Sequence, residues 1–444
     1  MTVPRRFRLA ATIILVACAG CSDDDPASVP SGTAPHAVLR LGSFGSWAGD
    51  AVFADAGESR DAESPASDLA FRWDWEGDGT WDTPYQSRGS ADHVFWTPGI
   101  AAVRVEVIDP EGNTARASRV LMVAEASPRP ADQPPMDEIP RGWFVMGSDP
   151  AEGEVDESPE SQFFIESFRL DRFEVANGVL ARALAWALAN RFVLVDDGRV
   201  IDPLSRQVYV HLEAPGSRLV FTDGAFVTAG STEDHPATYV TWYGAAAFCN
   251  WRSLRERRQP VYEPGGAWNA RLAAAGYRLP TEAQWEKAAR GGCEIEGHVG
   301  CEDADERAYP WGDSLEPSRA NFNGSEDPFE TGDAPRTTPV GFYDGAEHGG
   351  YMTADGRAPY GAADMAGNAW EWCHSRYEPY PYDEEDGRND PPAVGDPDER
   401  RIVRGGGDDA FGRWIRCATR HKENPDTAPS RCRHVGFRCV LPAF

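Results

Sequence analysis

The nine histidines include no H-x-x-x-H or H-E-x-x-H spacing, so a helical zinc or iron site of that kind is excluded. There is no Gly-x-Ser-x-Gly elbow and no phosphate-binding glycine loop, which removes the familiar hydrolase and nucleotide-binding readings. Positive charge is scarce: 43 basic residues face 71 acidic ones, for a formal net charge of -28. Such a surface repels nucleic acid and anionic lipid, and no nucleic-acid partner is expected. Long hydrophobic runs are also missing. The apolar stretch Leu9–Ala19 is too short for a permanent membrane span, and with Arg5, Arg6 and Arg8 before it the pattern predicts an export signal over residues 1–21.

What is present points to an anchored cell-envelope protein facing the periplasm or exterior. Leu15-Val16-Ala17-Cys18 resembles a bacterial lipobox, and Ala19-Gly20-Cys21 offers a second site. Acylation of Cys21, or of Cys18, would hold the mature chain to a membrane through lipid alone. The other seven cysteines all follow residue 240, and in an exported chain they are disulfide candidates, with an odd thiol left over. With 41% apolar and 11% aromatic residues, 444 residues suffice for more than one core.

Composition shifts divide the chain. Residues 22–35 are rich in Ser, Pro, Asp and Gly and form a flexible tether; residues 126–138 form a proline-rich linker. Between them, residues 36–125 carry short alternating segments, with Val103, Val105 and Val107 interleaved by Arg104 and Glu106. They predict an all-β sandwich. Its centre, Phe71-Arg72-Trp73-Asp74-Trp75-Glu76-Gly77-Asp78-Gly79-Thr80, resembles the signature of the polycystic-kidney-disease (PKD) domain, which implies an immunoglobulin-like spacer or binding module. Asp74, Glu76 and Asp78 alternate as in an EF-hand loop, but Tyr85 stands where a bidentate Glu is required, so a structural glycine turn is expected instead.

From residue 139 to 444 a set of landmarks appears in order. Trp143-Phe144-Val145-Met146-Gly147 reads as a strand into a turn, and Phe173-Glu174-Val175-Ala176-Asn177 follows. Tyr243–Leu254 reads as an apolar helix carrying Cys249. In Tyr277-Arg278-Leu279-Pro280-Thr281-Glu282-Ala283-Gln284-Trp285-Glu286, Thr281 and Gln284 are spaced as a capping box, with Gly291-Gly292 as the stop. Tyr309-Pro310-Trp311-Gly312, Gly367-Asn368-Ala369-Trp370-Glu371-Trp372, Arg404-Gly405-Gly406 and Gly436-Phe437-Arg438-Cys439 complete the set. In this order they resemble the formylglycine-generating-enzyme, or sulfatase-modifying-factor, family.

That resemblance implies an irregular α+β fold related to C-type lectins, stapled by calcium and disulfides. Carried over by position, Ala366, Gly367 and Ala369 would give carbonyls and Glu371 a carboxylate to one calcium ion. A second ion would take the Asn321 side chain, the Phe322 carbonyl and Asp333. Cys249 and Cys439 match positions bridged in family enzymes, whereas Ala289 stands where a partner of Cys417 should be, leaving Cys373 or Cys432 as substitutes. Cys293 and Cys301 are expected to close an acidic loop locally.

The family reaction oxidises a substrate cysteine to formylglycine with oxygen at copper(I) held by two thiolates. Their place corresponds to Gly407-Asp408-Asp409-Ala410-Phe411-Gly412-Arg413-Trp414-Ile415-Arg416, which has no cysteine. No catalytic residue is therefore assigned and copper is not expected. Asp408 and Asp409 are candidates for a cation or polar ligand, and the acidic loop 379–400 for specificity. The expected role is binding or scaffolding, with an envelope protein or glycan as partner; the alternative is a true formylglycine-generating oxidase.

Overall fold

The computed structural model describes residues 32–125, 134–151, 153–266, 268–296, 301, 307–331, 336–390, 396, 398–426 and 428–443. The acylation candidates Cys18 and Cys21 and the calcium candidate Asp333 lie outside them. Among the described residues no helix is long and apolar enough to cross a membrane.

Within residues 32–125, two sheets share one core. The strand Ala51–Asp55 lies between Arg40–Leu41 and Ser90–Val94, while Gly45–Trp47, Thr114–Ala124, Gly99–Ile108 and Ala70–Asp74 follow one another in the second sheet. Val103, Val105 and Val107 are fully buried with Trp73 and Leu121, so the alternating apolar positions do face inward. Glu106 departs from the pattern. It sits on the outer face yet is buried, because Arg116 (2.7 Å), Arg72 and the Tyr85 hydroxyl (2.6 Å) cover it. The aspartate–glycine turn is structural: Asp74 accepts hydrogen bonds from the backbone of Gly77, Asp78 and Gly79. Gly77 has φ +72°, and a Cβ there would come within 2.4 Å of the Ala102 carbonyl.

The proline-rich segment ends sooner than its composition predicts. Met136–Ile139 is already a strand, paired with Phe168–Asp171, because Ile139 has an apolar site to fill beneath that sheet. The first unit also packs directly on the second. Trp47 Nε1 donates to the Leu254 carbonyl at 2.9 Å, Arg271 donates to the carbonyls of Leu41 and Gly42, and Met122 and Ala124 enter the largest core cluster.

Among its described residues the second unit has three longer helices among short strands. Helix α1 (Asn177–Ala189) was not singled out from sequence. Helix α2 (Trp242–Arg255) is capped by Thr241 Oγ1 on Gly244 N and is buried from Trp242 through Leu254, its polar Asn250, Arg252 and Ser253 being paired with the Tyr262 carbonyl, Asp171 and the Cys249 carbonyl. Helix α3 (Glu282–Arg290) starts with the predicted capping box of Thr281 and Gln284 and stops at Gly291, whose φ is +97°. A four-stranded sheet runs in the order His421–Glu423, Arg401–Arg404, Trp370–Arg376 and Val435–Gly436. This sheet positions the site.

The acidic loop 379–400 differs from expectation in its described part. Tyr382 and Arg388 are buried, with Arg388 over the Tyr382 ring at 4.2 Å and its Nη2 2.6 Å from Asp386. Burying that guanidinium requires the ring and carboxylate around it, so Tyr382 and Arg388 anchor the stretch while Asp383, Glu384, Glu385 and Asp390 stay exposed.

Candidate functional site

A cleft of about 270 Å3 opens at the edge of the four-stranded sheet. Trp370 begins one strand and His421 another, and their rings lie 5.3 Å apart in its wall. Asp409, Ala410 and Trp414 come from the segment after Arg401–Arg404, and Glu154 also lines the cleft. The chain enters that segment through Gly405 and Gly406, both at positive φ. At Gly406 a Cβ would stand 2.6 Å from Ile415 Cγ2 and 2.9 Å from the Trp414 carbonyl, so the turn needs glycine.

Charged groups brace the floor. Arg420 donates to Glu282 at 2.6 and 3.1 Å, and Arg416 grips Glu157 with both terminal nitrogens at 2.8 and 2.9 Å. Arg404 reaches Glu286 and the carbonyls of Cys417 and Thr419. Two tryptophan faces, an acidic group and a fixed guanidinium suit a ligand with an apolar or cationic face and several polar groups.

Beside the cleft, His434 precedes the strand Val435–Gly436, and its carbonyl accepts from Trp370 N at 2.8 Å. Its Nδ1 is 2.5 Å from Asp408 Oδ1, and Asp408 Oδ2 accepts from Arg336 N at 2.6 Å. Nothing in the spacing of the sequence linked His434 to the aspartates, nor Trp370 to Trp414.

No described cysteine lines the cleft. Cys249, Cys373, Cys417, Cys432 and Cys439 are unbridged and buried. Loss of hydration pushes the Cys417 and Cys432 thiols up to about 12 and those of Cys373 and Cys439 well above their ordinary value. Cys432 packs with Ala214 and Tyr239 while Cys373 and Cys417 share another cluster, so Cys432 is not placed to substitute as partner of Cys417. Cys293 and Cys301 form the expected local disulfide. The expected bridge from Cys249 to Cys439 is not closed: the sulfurs face each other at 3.6 Å, beyond the roughly 2.05 Å of a covalent bond.

The calcium residues fare differently. Ala366, Gly367 and Ala369 lie together in the turn before Trp370, and Asn321 adjoins it, its carbonyl accepting from Asn368 N at 2.8 Å. Glu371, however, does not fit as a ligand. Both its oxygens are taken by Arg438, and Oε2 also accepts from Trp285 Nε1 at 2.8 Å. A cation there would have to displace a buried guanidinium. Asn321 spends its side-chain amide on the Arg336 carbonyl at 3.0 Å, and Phe322 gives its carbonyl to Ser325 N at 3.0 Å.

Residues 122–443 match the family described as Sulfatase-modifying factor enzyme 1-like domain. The chain belongs to that family. Among its relatives, serine/threonine-protein kinase pkn1 of Chlamydia caviae is 30% identical over 305 residues, which are 68% of this chain and 37% of that protein. Inactive C-alpha-formylglycine-generating enzyme 2 of Mus musculus is 28% identical, covering 70% of this chain and 87% of its own. Formylglycine-generating enzyme of Bos taurus is 27% identical, covering 74% and 82%. This family member thus spans little more than a third of the kinase relative but most of the other two.

Proposed function

We propose that this sulfatase-modifying-factor family member is a lipid-anchored envelope protein that binds a ligand in the Trp370–Trp414 cleft and performs no formylglycine oxidation. One observation carries the reading: the segment Gly407–Arg416, where the family holds copper, supplies Asp409, Ala410 and Trp414 to the cleft and no thiol. Copper(I) needs soft sulfur donors, and carboxylate and indole groups do not replace them. The relative named as inactive supports the idea that the scaffold persists without that chemistry. The ligand is an envelope protein or glycan presenting a face to the two tryptophans. Acylation at Cys21 or Cys18 provides the anchor, and residues 36–125 act as a PKD-like, immunoglobulin-like spacer.

The test is copper(I) titration of the purified mature protein, with mass spectrometry of a Cys-x-Pro-x-Arg peptide incubated with it in air. Absence of tight copper and of peptide oxidation is expected. Stoichiometric copper with loss of the peptide thiol would establish the oxidase instead.

A further inference from the structure

We propose that His434 and Asp409 form a binding site for a first-row divalent metal ion of the zinc type, with Asp408 orienting the imidazole. Asp408, Asp409 and His434 each place a donor atom within 4.8 Å of the others. Proximity of acidic groups alone would mean little. The deciding feature is His434 Nε2, which is buried and has no hydrogen-bond partner, on a side chain that is 8% exposed. A buried ring nitrogen left without a partner costs about 1–3 kcal/mol unless something else satisfies it.

Asp409 Oδ2 stands 3.1 Å from His434 Nε2 without forming a hydrogen bond. Two ligands sharing one ion at about 2.0–2.1 Å stand roughly 2.9 to 3.4 Å apart, for octahedral to tetrahedral angles. The pair is therefore spaced as an edge of a coordination shell. On the far side of the ring, Asp408 Oδ1 at 2.5 Å accepts the Nδ1 proton, and the backbone of Arg336 fixes that carboxylate in turn. This arrangement puts the lone pair on Nε2, beside Asp409 and not along the line to its oxygen, where an ion could take both as ligands in the carboxylate–histidine–metal relation.

One imidazole and one carboxylate form a borderline donor set. It suits zinc and its first-row neighbours better than calcium, which wants oxygen alone, or copper(I), which wants sulfur. Asp409 also lines the cleft, so the open positions of the ion would face the ligand-binding space. Arg433 Nη2 is 3.7 Å from Asp409 Oδ2, but its side chain is 46% exposed and free to swing into solvent. The site does not depend on the ligand-binding reading: copper and peptide oxidation report cysteine chemistry, and neither result decides whether zinc binds here.

The experiment is equilibrium dialysis of the mature chain, previously stripped with chelator, against zinc(II), with cobalt(II) as a spectroscopic probe. Stoichiometric zinc and a cobalt d–d band are expected in the unsubstituted protein. Asp409→Asn and His434→Gln should abolish both, and Asp408→Asn should weaken zinc by about 10–100-fold. His434 is buried and its variant could fail to fold. The decision then rests on Asp409→Asn, whose side chain is partly exposed and whose melting curve confirms folding. No zinc uptake by the unsubstituted chain would overturn the proposal, as would zinc and cobalt spectra unchanged in Asp409→Asn, which would show adventitious binding elsewhere.

Discussion

Arg438 closes on both oxygens of Glu371, Nε to Oε2 at 2.7 Å and Nη2 to Oε1 at 2.6 Å, with both side chains fully buried. The same guanidinium donates to the carbonyls of Asp171, Arg172 and Ala363, tying the segment between the strands Val435–Gly436 and Val440–Pro442 to the end of Phe168–Asp171 and to Trp370–Arg376. Removing one partner leaves an uncompensated buried charge, a loss of about 3–5 kcal/mol. Glu371→Gln should therefore lower stability by that amount in urea unfolding, and equally in calcium and in chelator. If the substitution abolished a calcium-dependent stabilisation, Glu371 would belong to a calcium site after all.

Glu174 should make the protein less stable as pH rises. Desolvation, and then the neighbouring Asp364 charge, push its carboxyl well above its ordinary value near 4.5. Its Oε2 is buried without a hydrogen-bond partner, a setting that disfavours the charged form. The folded state then holds a proton that the unfolded chain releases above about pH 4.5, so the stabilisation is complete below that pH and fades above it. Glu174→Gln keeps a donor in place without the proton, and should flatten the alkaline decline in a series of urea midpoints against pH. An unchanged slope would mean that Glu174 is ionised in the fold.

Acid acts through a different group. Burial, reinforced by Arg401, pushes His374 down to about 3, with Nε2 at 2.9 Å from the Asn389 carbonyl and Nδ1 at 3.3 Å from the Tyr262 hydroxyl. Unfolded histidine titrates near 6.5, so between those values the unfolded chain binds more protons. Stability from this neutral ring is present above about pH 6.5 and is lost as pH falls toward 3. His374→Gln should be less stable near neutrality but lose less on acidification. Equal acid slopes for the two proteins would remove His374 from the acid limb.

Local chemistry was legible in the sequence because it acts over a few residues. The capping box of Thr281 and Gln284, the apolar helix after Thr241 and the glycine turn after Asp74 each depend on near neighbours. The absence of thiols between Gly407 and Arg416 was equally plain. Pairings set by tertiary structure were not. Glu371 looked like a calcium ligand because its partner Arg438 is 67 residues away, and His434 carried no signal because Asp408 is 26 residues upstream. The start of the second unit was misplaced for the same reason: proline composition marks the linker, but only pairing with Phe168–Asp171 shows that Met136–Ile139 is a strand.

Cys249 and Cys439 offer a final measurement. Their sulfurs are 3.6 Å apart between helix α2 and the end of the chain, so a rotation of roughly 1.5 Å would bring them to bonding distance. Both are buried, and Cys439 lies far above its ordinary thiol range through desolvation, so spontaneous attack by a thiolate is slow in the folded state. The bridge should form during oxidative refolding, when the thiols are exposed and an external disulfide accepts the two electrons. Closing a loop with sequence separation 190 would stabilise the fold by about 5 kcal/mol in the chain-entropy picture. Protein refolded in oxidised glutathione should yield a Cys249–Cys439 peptide in non-reducing mass spectrometry and a higher denaturant midpoint, both absent in Cys439→Ser. Equal midpoints for bridged and reduced protein would mean that strain at the closed pair cancels the entropic gain.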